Sequence, residues 1–228
     1  MKRSQINYAI DKAHAIAETF GVCLPEFAFF TADAWRKQPL GEWGEVLDLQ
    51  LGWDITDFGR SDFDKIGLTL LTLRNGALNS RAYPKPYAEK MLQIQQEQQT
   101  PWHFHTHKMK DILNRGRGDL CMQLGWATDE ALFDERRMVE VSVDGRQRTF
   151  KPGETLVLKP GQGVFLPPRL YHRFWAEKTL VLGWEISMVN DDKRDNYFLE
   201  PGGRFPTIEE DVPVKWLLCK EYDRLNVT

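Results

Sequence analysis

Residues 101–118, PWHFHTHKMKDILNRGRG, contain the pattern that decides the predicted fold and site. His103, His105 and His107 occupy alternate positions, and in an extended strand residues two apart lie on one face, about 6.6 Å apart. Neutral imidazole is a good ligand for manganese, iron, zinc or nickel. The segment therefore predicts a metal site, against the alternative of ordinary core or surface histidines. His172, in the distant segment LPPRLYHRFW, favours the metal site because it supplies a further ligand.

Short apolar segments separated by Gly and Pro turns extend this strand into a mainly β prediction. Alternating, β-branched and aromatic residues are typical of strands, and Asp144-Gly145 in MVEVSVDGRQRTF matches the type I′ turn of a hairpin. Many short strands of this kind favour an antiparallel sandwich or barrel. The predicted strands lie within residues 45–59, 64–76, 85–96, 101–107, 119–127, 138–150, 154–189 and 214–222.

A helical N-terminal extension is predicted to precede the strands. Residues 4–20 place apolar side chains at a spacing near 3.6, with Ser4 as the N-cap and Gly21 as the C-terminal stop. Thr31 is predicted to cap a second short helix. Near the other end of the chain, the polar segment that begins at Val189 is predicted to be a loop.

The composition is that of an ordinary globular protein, with 228 residues of which 42% are hydrophobic and 28% charged. We predict one domain, with the helical extension over residues 1–42 and the barrel over residues 43–228. The net charge of −3 provides no basic stripe for nucleic acid or an anionic membrane, and the apolar runs are too short to span a bilayer. Three widely spaced cysteines favour free thiols in a reducing compartment. We therefore expect a cytoplasmic protein.

Two longer motifs carry a resemblance to a known family. The patterns HFHxxKxxDIxNRGxG, at residues 103–118, and GxxxxLPPxLYHxFWAE, at residues 161–177, resemble the two metal-binding motifs of the cupin barrel in the D-lyxose isomerase family. This resemblance covers most of the chain from about residue 50. It implies a cupin fold, a divalent metal that is usually manganese, and a homodimer. It also implies interconversion of D-lyxose with D-xylulose, with D-mannose and D-fructose as further substrates.

The metal ligands of this family are three histidines and one glutamate. The histidines carry over to His103, His105 and His172, which leaves His107 as an exposed residue without a role. The glutamate does not carry over, because the family pattern HxHxxKxED has Glu where this chain has Lys110. An ammonium group 4 Å from a divalent ion is repelled by about 8 kcal/mol at an effective dielectric constant of about 20. We therefore expect weaker metal binding and lower activity than the family pattern would give.

Other residues must complete the metal site and contact the substrate. Asp111 and Glu185 are candidates for the missing carboxylate ligand, beside water and sugar hydroxyls. Glu185, a carboxylate in an apolar strand, is the predicted catalytic base, and Lys108 is predicted to stabilise the enediolate or deliver a proton. The structural alternatives are an ion pair for Glu185 and a solvated surface position for Lys108. The predicted substrate-binding residues are Arg204, which would hold distal sugar hydroxyls, Lys110 and Asp111.

Three functions stay open on the sequence alone. We predict a sugar ketol-isomerase that uses a divalent metal, Mn²⁺ by resemblance, and that transfers a proton through an enediol rather than a hydride. A sugar-binding cupin with impaired catalysis is the first alternative, and Lys110 favours it. A different metal-dependent cupin enzyme, such as a non-haem iron oxygenase, is the second, because three histidines with open coordination positions also suit that chemistry.

Overall fold

The computed structural model describes residues 1–191 and 194–226. The polar segment that begins at Val189 includes residues 192 and 193, which lie outside the described residues. The α-helices are α1 (Arg3–Thr19), α2 (Ala32–Trp35) and α3 (Gly44–Asp48), and the 3₁₀ helices are Glu26–Phe29, Leu40–Trp43 and Cys219–Asn226. The strands are β1 (Gly52–Thr56), β2 (Leu68–Arg74), β3 (Tyr87–Ile94), β4 (His103–His105), β5 (Lys110–Trp126), β6 (Val139–Val143), β7 (Arg146–Phe150), β8 (Thr155–Leu158), β9 (Gly163–Leu166), β10 (Leu170–Met188) and β11 (Asn196–Phe198).

The two longest strands, β5 and β10, form the centre of an antiparallel sheet. They pair with each other along nearly their whole length, with register shifts between Glu177 and Val181 and between Leu182 and Gly183. On its other edge β10 pairs with β3 and, at one residue, with β4. The first half of β5 pairs with β9 and its second half with β8. Strands that change partners along their length bend a sheet around an interior. The predicted mainly β barrel with a helical N-terminal part is therefore confirmed.

The two largest apolar clusters of the described residues lie on opposite sides of this sheet. The inner core fills the barrel and includes Leu92, Ile112 and Phe174. The outer core lies between the sheet and the N-terminal helices, where Ile6 and Ile10 of α1 are fully buried. Burying one such side chain stabilises the fold by about 1.5–3 kcal/mol. The helical part is therefore held by packing against the sheet.

Most of the predicted N-terminal features are present, with one correction. The helix α1 is followed by Gly21, whose φ of 66° confirms the predicted stop, and the hydroxyl of Thr31 accepts a hydrogen bond from the Ala34 amide. The N-cap is Lys2 and not Ser4. Ser4 lies inside the first turn, where its hydroxyl donates to Asp211 at 2.6 Å. The helical segments continue to α3, beyond the predicted boundary at residue 42, and the division into two parts stays a prediction.

The predicted hairpin is confirmed, and the predicted last strand is wrong. Asp144 and Gly145, both at positive φ, join β6 to β7. Residues 214–222 form no strand; they lead into the 3₁₀ helix that begins at Cys219. The Tyr222 hydroxyl donates to the Leu51 carbonyl at 2.6 Å, and the same hydroxyl lies 2.3 Å from where a β-carbon at residue 52 would stand, so only glycine fits there. A short apolar run looks alike in a buried strand and a buried turn.

No helix within residues 1–191 and 194–226 is both long and apolar enough to cross a bilayer.

Candidate metal and sugar site

The three predicted histidine ligands meet where β4 pairs with β10. His103 lies directly opposite His172 in the register, and their ring centroids are 4.2 Å apart. The ring of His105 lies 5.5 Å from that of His103 and 5.7 Å from that of His172. One nitrogen from each ring lies within 4.8 Å of the other two, and all three residues are buried. Phe104, between the two histidines of β4, points the other way and stacks on Tyr197.

The hydrogen bonds of His103 and His172 leave a ring nitrogen of each with its lone pair available for a metal. The Nδ1 atoms of His103 and His172 each lie 2.9 Å from a backbone carbonyl, of Pro101 and Leu170 respectively. Because a carbonyl only accepts, Nδ1 carries the hydrogen and Nε2 keeps its lone pair. Among the described residues, Nε2 of His172 and both ring nitrogens of His105 are buried without a hydrogen-bond partner. Leaving such groups unsatisfied costs about 1–3 kcal/mol each, so the three imidazoles fit a divalent ion.

Three further buried side chains form an ion cluster beside the histidines, which we call the lysine–glutamate cluster: Lys108, Glu185 and Lys110. The Glu185 carboxylate accepts from Lys108 Nζ through Oε1 and from Lys110 Nζ through Oε2, both at 3.2 Å. Lys108 Nζ also donates to Asn190 Oδ1 at 2.9 Å. Lys110, where the resemblance expects a glutamate ligand, is thus paired with Glu185.

Burial and these charges lower the pKa values of the histidines, of Lys110 and of Glu185. Burial, together with the nearby Lys110 ammonium, lowers the pKa of His103 to about 3. Burial also lowers the pKa of Lys110, to about 8, although the Glu185 carboxylate opposes this shift. Burial alone would raise the pKa of Glu185, but the ammonium groups of Lys108, Lys110 and Lys90 outweigh it and hold that pKa well below its usual range. At neutral pH the site therefore contains neutral imidazole, ionised glutamate and protonated lysine.

A small cavity joins the histidines to the lysine–glutamate cluster. Its volume is about 40 Å³, room for about three water molecules at 10–15 Å³ each, whereas ligand pockets usually measure about 300–1,000 Å³. The cavity as it stands is therefore smaller than a usual ligand pocket. The lining residues are Phe58, Leu68, Leu70, Lys90, Leu92, Thr100, His103, His105, Lys108, Lys110, Phe174, Glu185, Asn196, Phe198 and Arg204.

The structure brings Arg204 to this cavity and leaves Asp111 outside it. Arg204 lines the cavity, and its guanidinium donates to the buried carboxylate of Asp54 at 2.5 Å. Asp111 is exposed and lies opposite Ile186, which is 41% exposed. Neighbouring residues on a strand project from opposite faces, so the inward position of Lys110 puts Asp111 on the outer face. Asp111 is therefore absent from the lining of the cavity where its substrate or metal contact was predicted.

Sequence similarity now identifies the family. A model of the D-lyxose isomerase family matches residues 1–222. The chain belongs to this family. Two D-lyxose/D-mannose isomerases are similar to it over almost their whole lengths: the Serratia proteamaculans protein is 45% identical over 227 residues, 98% of this chain and 99% of that protein. The Escherichia coli O157:H7 protein is 44% identical over 224 residues, 97% of this chain and 98% of that protein.

Solved structures of L-ribose isomerases share the fold of this D-lyxose isomerase family member. The enzyme of Acinetobacter sp. DL28, solved as a mutant with L-ribose, superposes with a TM-score of 0.61 at 11% identity, over 92% of this chain and 98% of that one. The Cellulomonas parahominis enzyme with L-ribose gives 0.60 at 12% identity, over 92% and 98% of the two chains. The predicted cupin fold is therefore confirmed. The family match further shows that the chain is an enzyme of the sugar ketol-isomerase class.

Sequence reasoning missed two buried charged residues of this family member's site. Lys90 lies opposite Glu185 in the pairing of β3 with β10 and lines the cavity, and Asp54 pairs with Arg204. Both stand in strands whose other buried residues are largely apolar. A charged residue in an apolar strand is the same signal that identified Glu185, and it would have found both. His107 is exposed, and only its backbone amide contacts Asp195.

Proposed function

We propose that this protein is a metal-dependent aldose–ketose isomerase that interconverts D-lyxose with D-xylulose, and D-mannose with D-fructose, by proton transfer through an enediol. The main support is the buried histidine triad, whose ring nitrogens include several without a hydrogen-bond partner among the described residues. An ionised carboxylate and two lysines lie beside it. The sugars follow from the two curated relatives, which are D-lyxose/D-mannose isomerases. Manganese is the metal that the family resemblance favours.

His103, His105 and His172 would hold the ion, which supplies Lewis-acid polarisation of the carbonyl and the adjacent hydroxyl when it is bound. Glu185 is the proposed base, because its carboxylate is ionised and buried at the cavity wall. Lys108 is the proposed acid or electrostatic partner for the enediolate oxygens. Its amide and that of His107 both donate to the Asp195 carboxylate, which fixes the backbone that carries it. Positioned groups of this kind contribute about 10²–10⁴-fold to rate.

Lys110 is proposed to reduce both metal affinity and turnover. It removes an anionic ligand from a site for Mn²⁺, which binds weakly in the divalent series, and it adds a positive charge that repels the ion. Its ion pair with Glu185 also weakens the base, since an ammonium group stabilises the carboxylate form.

Arg204 is the proposed contact for the distal hydroxyls of the sugar, and Asp54 holds its guanidinium in place. A charged donor in the wall can hydrogen-bond several hydroxyls, since a guanidinium carries five N–H groups. The sugar is the proposed ligand, and the proposed assembly is a cytoplasmic homodimer. The exposed apolar residues Tyr87, Ile186 and Met188 share the outer face of β3 and β10, which supports an interface there.

Metal analysis of the purified protein, combined with isomerase assays on D-lyxose and D-mannose with added Mn²⁺, tests the proposal. We expect turnover that depends on a divalent ion and is lost after chelation. The reaction in D₂O should place deuterium in the product, which separates proton transfer from a hydride shift. Full activity in the chelated protein would contradict the metal dependence, and product free of solvent deuterium would contradict the enediol route.

A second candidate, a sugar-binding cupin without turnover, is supported by the pairing of Lys110 with Glu185. Calorimetric binding of D-lyxose with no product under saturating Mn²⁺ would favour it. Product formation at any metal concentration would exclude it.

A further inference from the structure

The lysine–glutamate cluster contains more positive than negative charge. Two ammonium groups share the single carboxylate of Glu185, and the second partner of the Lys108 ammonium is the neutral side chain of Asn190. All three members of the cluster are buried. A buried charge without a full counter-charge is costly, so the cluster favours a ligand that brings an anionic oxygen.

The excess charge lies at the reacting end of the proposed site. Lys108 and Lys110 line the same small cavity as His103 and His105. Arg204, by contrast, is neutralised by Asp54 in the cavity wall. An anionic group would therefore be placed where the carbonyl end of a sugar meets the histidines, and not at the distal end.

We propose that the cavity of this protein binds sugar acids, with the C1 carboxylate between Lys110 and the histidine triad. The inference deepens the proposed function, on which it rests for the choice of a five-carbon ligand. A carboxylate accepts hydrogen bonds from ammonium groups that are about twice as strong as neutral ones. The family pattern, with glutamate in place of Lys110, would repel the same carboxylate.

A carboxylate suits this position better than a phosphate. A planar carboxylate at C1 replaces the aldehyde of the substrate within the same carbon skeleton, and the cavity beside the histidines holds only about 40 Å³. The phosphate of a sugar phosphate is carried by the terminal carbon, which would lie toward Arg204. Phosphate-containing ligands therefore serve as a control that shows at which end of the cavity the excess positive charge acts.

Calorimetry on the full-length protein, after removal of metal by chelation, tests this inference. The matched ligands are D-lyxonate and its alditol, which differ only by a carboxylate or a CH₂OH group at C1. We expect D-lyxonate to bind about 10- to 100-fold more tightly than the alditol, the effect of a hydrogen bond to a charged group. Lys110→Met should remove most of this preference, whereas Lys65→Met, which changes an exposed lysine, should not alter it.

Several results would overturn the inference. Equal affinities of the wild type for D-lyxonate and the alditol would do so, and this comparison needs no variant to fold. An unchanged preference in Lys110→Met would show that the charge of Lys110 is not used. Tighter binding of inorganic phosphate or D-xylulose 5-phosphate than of D-lyxonate would place the anion elsewhere. Because binding is measured without metal or turnover, failure of the isomerase assay leaves this result readable, and the reverse also holds.

Discussion

Arg3 lies between two glutamates, whereas Glu185 lies between two lysines. Arg3, in the first turn of α1, makes two hydrogen bonds to Glu210 and two to Glu221 near the C-terminus. Arg224 donates to the same two glutamates, so the charges balance at two positive and two negative. Burial opposes the charged form of Arg3, but the hydrogen bonds that Arg3 donates to Glu210 and Glu221 raise its pKa. This arrangement ties the two ends of the chain together.

The lysine–glutamate cluster differs in charge balance and in position. Its single carboxylate serves two cations, and its members line a cavity. In the Arg3 cluster a planar guanidinium group of fixed geometry donates to carboxylates, which is the arrangement of a stable bidentate pair. The cavity cluster keeps flexible ammonium groups that can release their partner. The comparison teaches that a balanced buried cluster serves stability, while an unbalanced one beside a cavity is available for a ligand.

The largest expected effect comes from Glu185→Gln. Removal of the proposed base should lower turnover by about 10²–10⁴-fold, while Lys110, whose pKa is already lowered to about 8, can shed a proton to relieve the lost counter-charge. The measurement is kcat at saturating Mn²⁺ and sugar. If Glu185→Gln keeps the wild-type kcat, the lysine–glutamate cluster is structural, and its proposed difference in role from the Arg3 cluster is contradicted.

Arg3→Met should act on stability and not on turnover. Removing one partner of a buried ion pair costs about 3–5 kcal/mol, and Glu210 and Glu221 would then share the single guanidinium of Arg224. Denaturant unfolding measures the loss, and kcat of the folded protein should stay at the wild-type value. Arg224→Met is the matched control, because that side chain is 41% exposed and its pairs should contribute about 0–1 kcal/mol. Equal losses in the two variants would contradict the assigned roles.

Asp54→Asn tests the proposed role of Arg204 at the distal end of the cavity. The change leaves Arg204 buried beside a neutral partner, so its guanidinium is less firmly held. We expect KM for D-lyxose to rise about 5- to 10-fold, an effect of roughly 1–1.4 kcal/mol, with kcat changed less. Steady-state kinetics measures both values. A fall in kcat at constant KM would show that Arg204 acts at the reacting carbons.

The smallest effect is the acid sensitivity of the Arg3 cluster. Hydrogen bonds from Arg3 lower the pKa of Glu210 from 4.5 to about 2. Because the folded pKa is below the unfolded one, this stabilisation is present above pH 4.5 and is lost as pH falls from 4.5 toward 2. Glu210 is 41% exposed, so solvent screening limits the effect to about 1 kcal/mol or less. Unfolding free energies at pH 5 and pH 3 should differ less in Arg3→Met than in wild type.

The local patterns predicted the site better than they predicted the ends of the chain. Alternation along β4 predicted that His103 and His105 share a face, and the turn before β10 brought His172 opposite them. The same alternation separates Lys110 from Asp111, so that the two side chains project from opposite faces of β5. The partners of Lys110 could not be predicted, because β10 reaches β5 only through long-range pairing with bulges that shift the register.

The prediction of a last strand at residues 214–222 was wrong for a different physical reason. Residues 214–222 are apolar because they pack against the outer core, where Leu218 is fully buried. Hydrophobicity reports burial, and it does not distinguish a strand from a buried turn when no clear period is present. The hydrogen bond from Tyr222 to Leu51, which fixes that turn, joins residues far apart in sequence.

Lys110 places a cation where the family pattern has an anionic ligand, so we expect this residue to set the metal affinity of the site. The measurement is the Mn²⁺ dissociation constant of full-length wild type, Lys110→Glu and Lys110→Met at one pH, by calorimetry. We predict that Lys110→Glu binds Mn²⁺ roughly 10- to 100-fold more tightly than wild type, the range typical of changes around a metal centre. Lys110→Met should lie between them, since it removes the repulsion without adding a ligand. Equal affinity in wild type and Lys110→Glu would contradict the account.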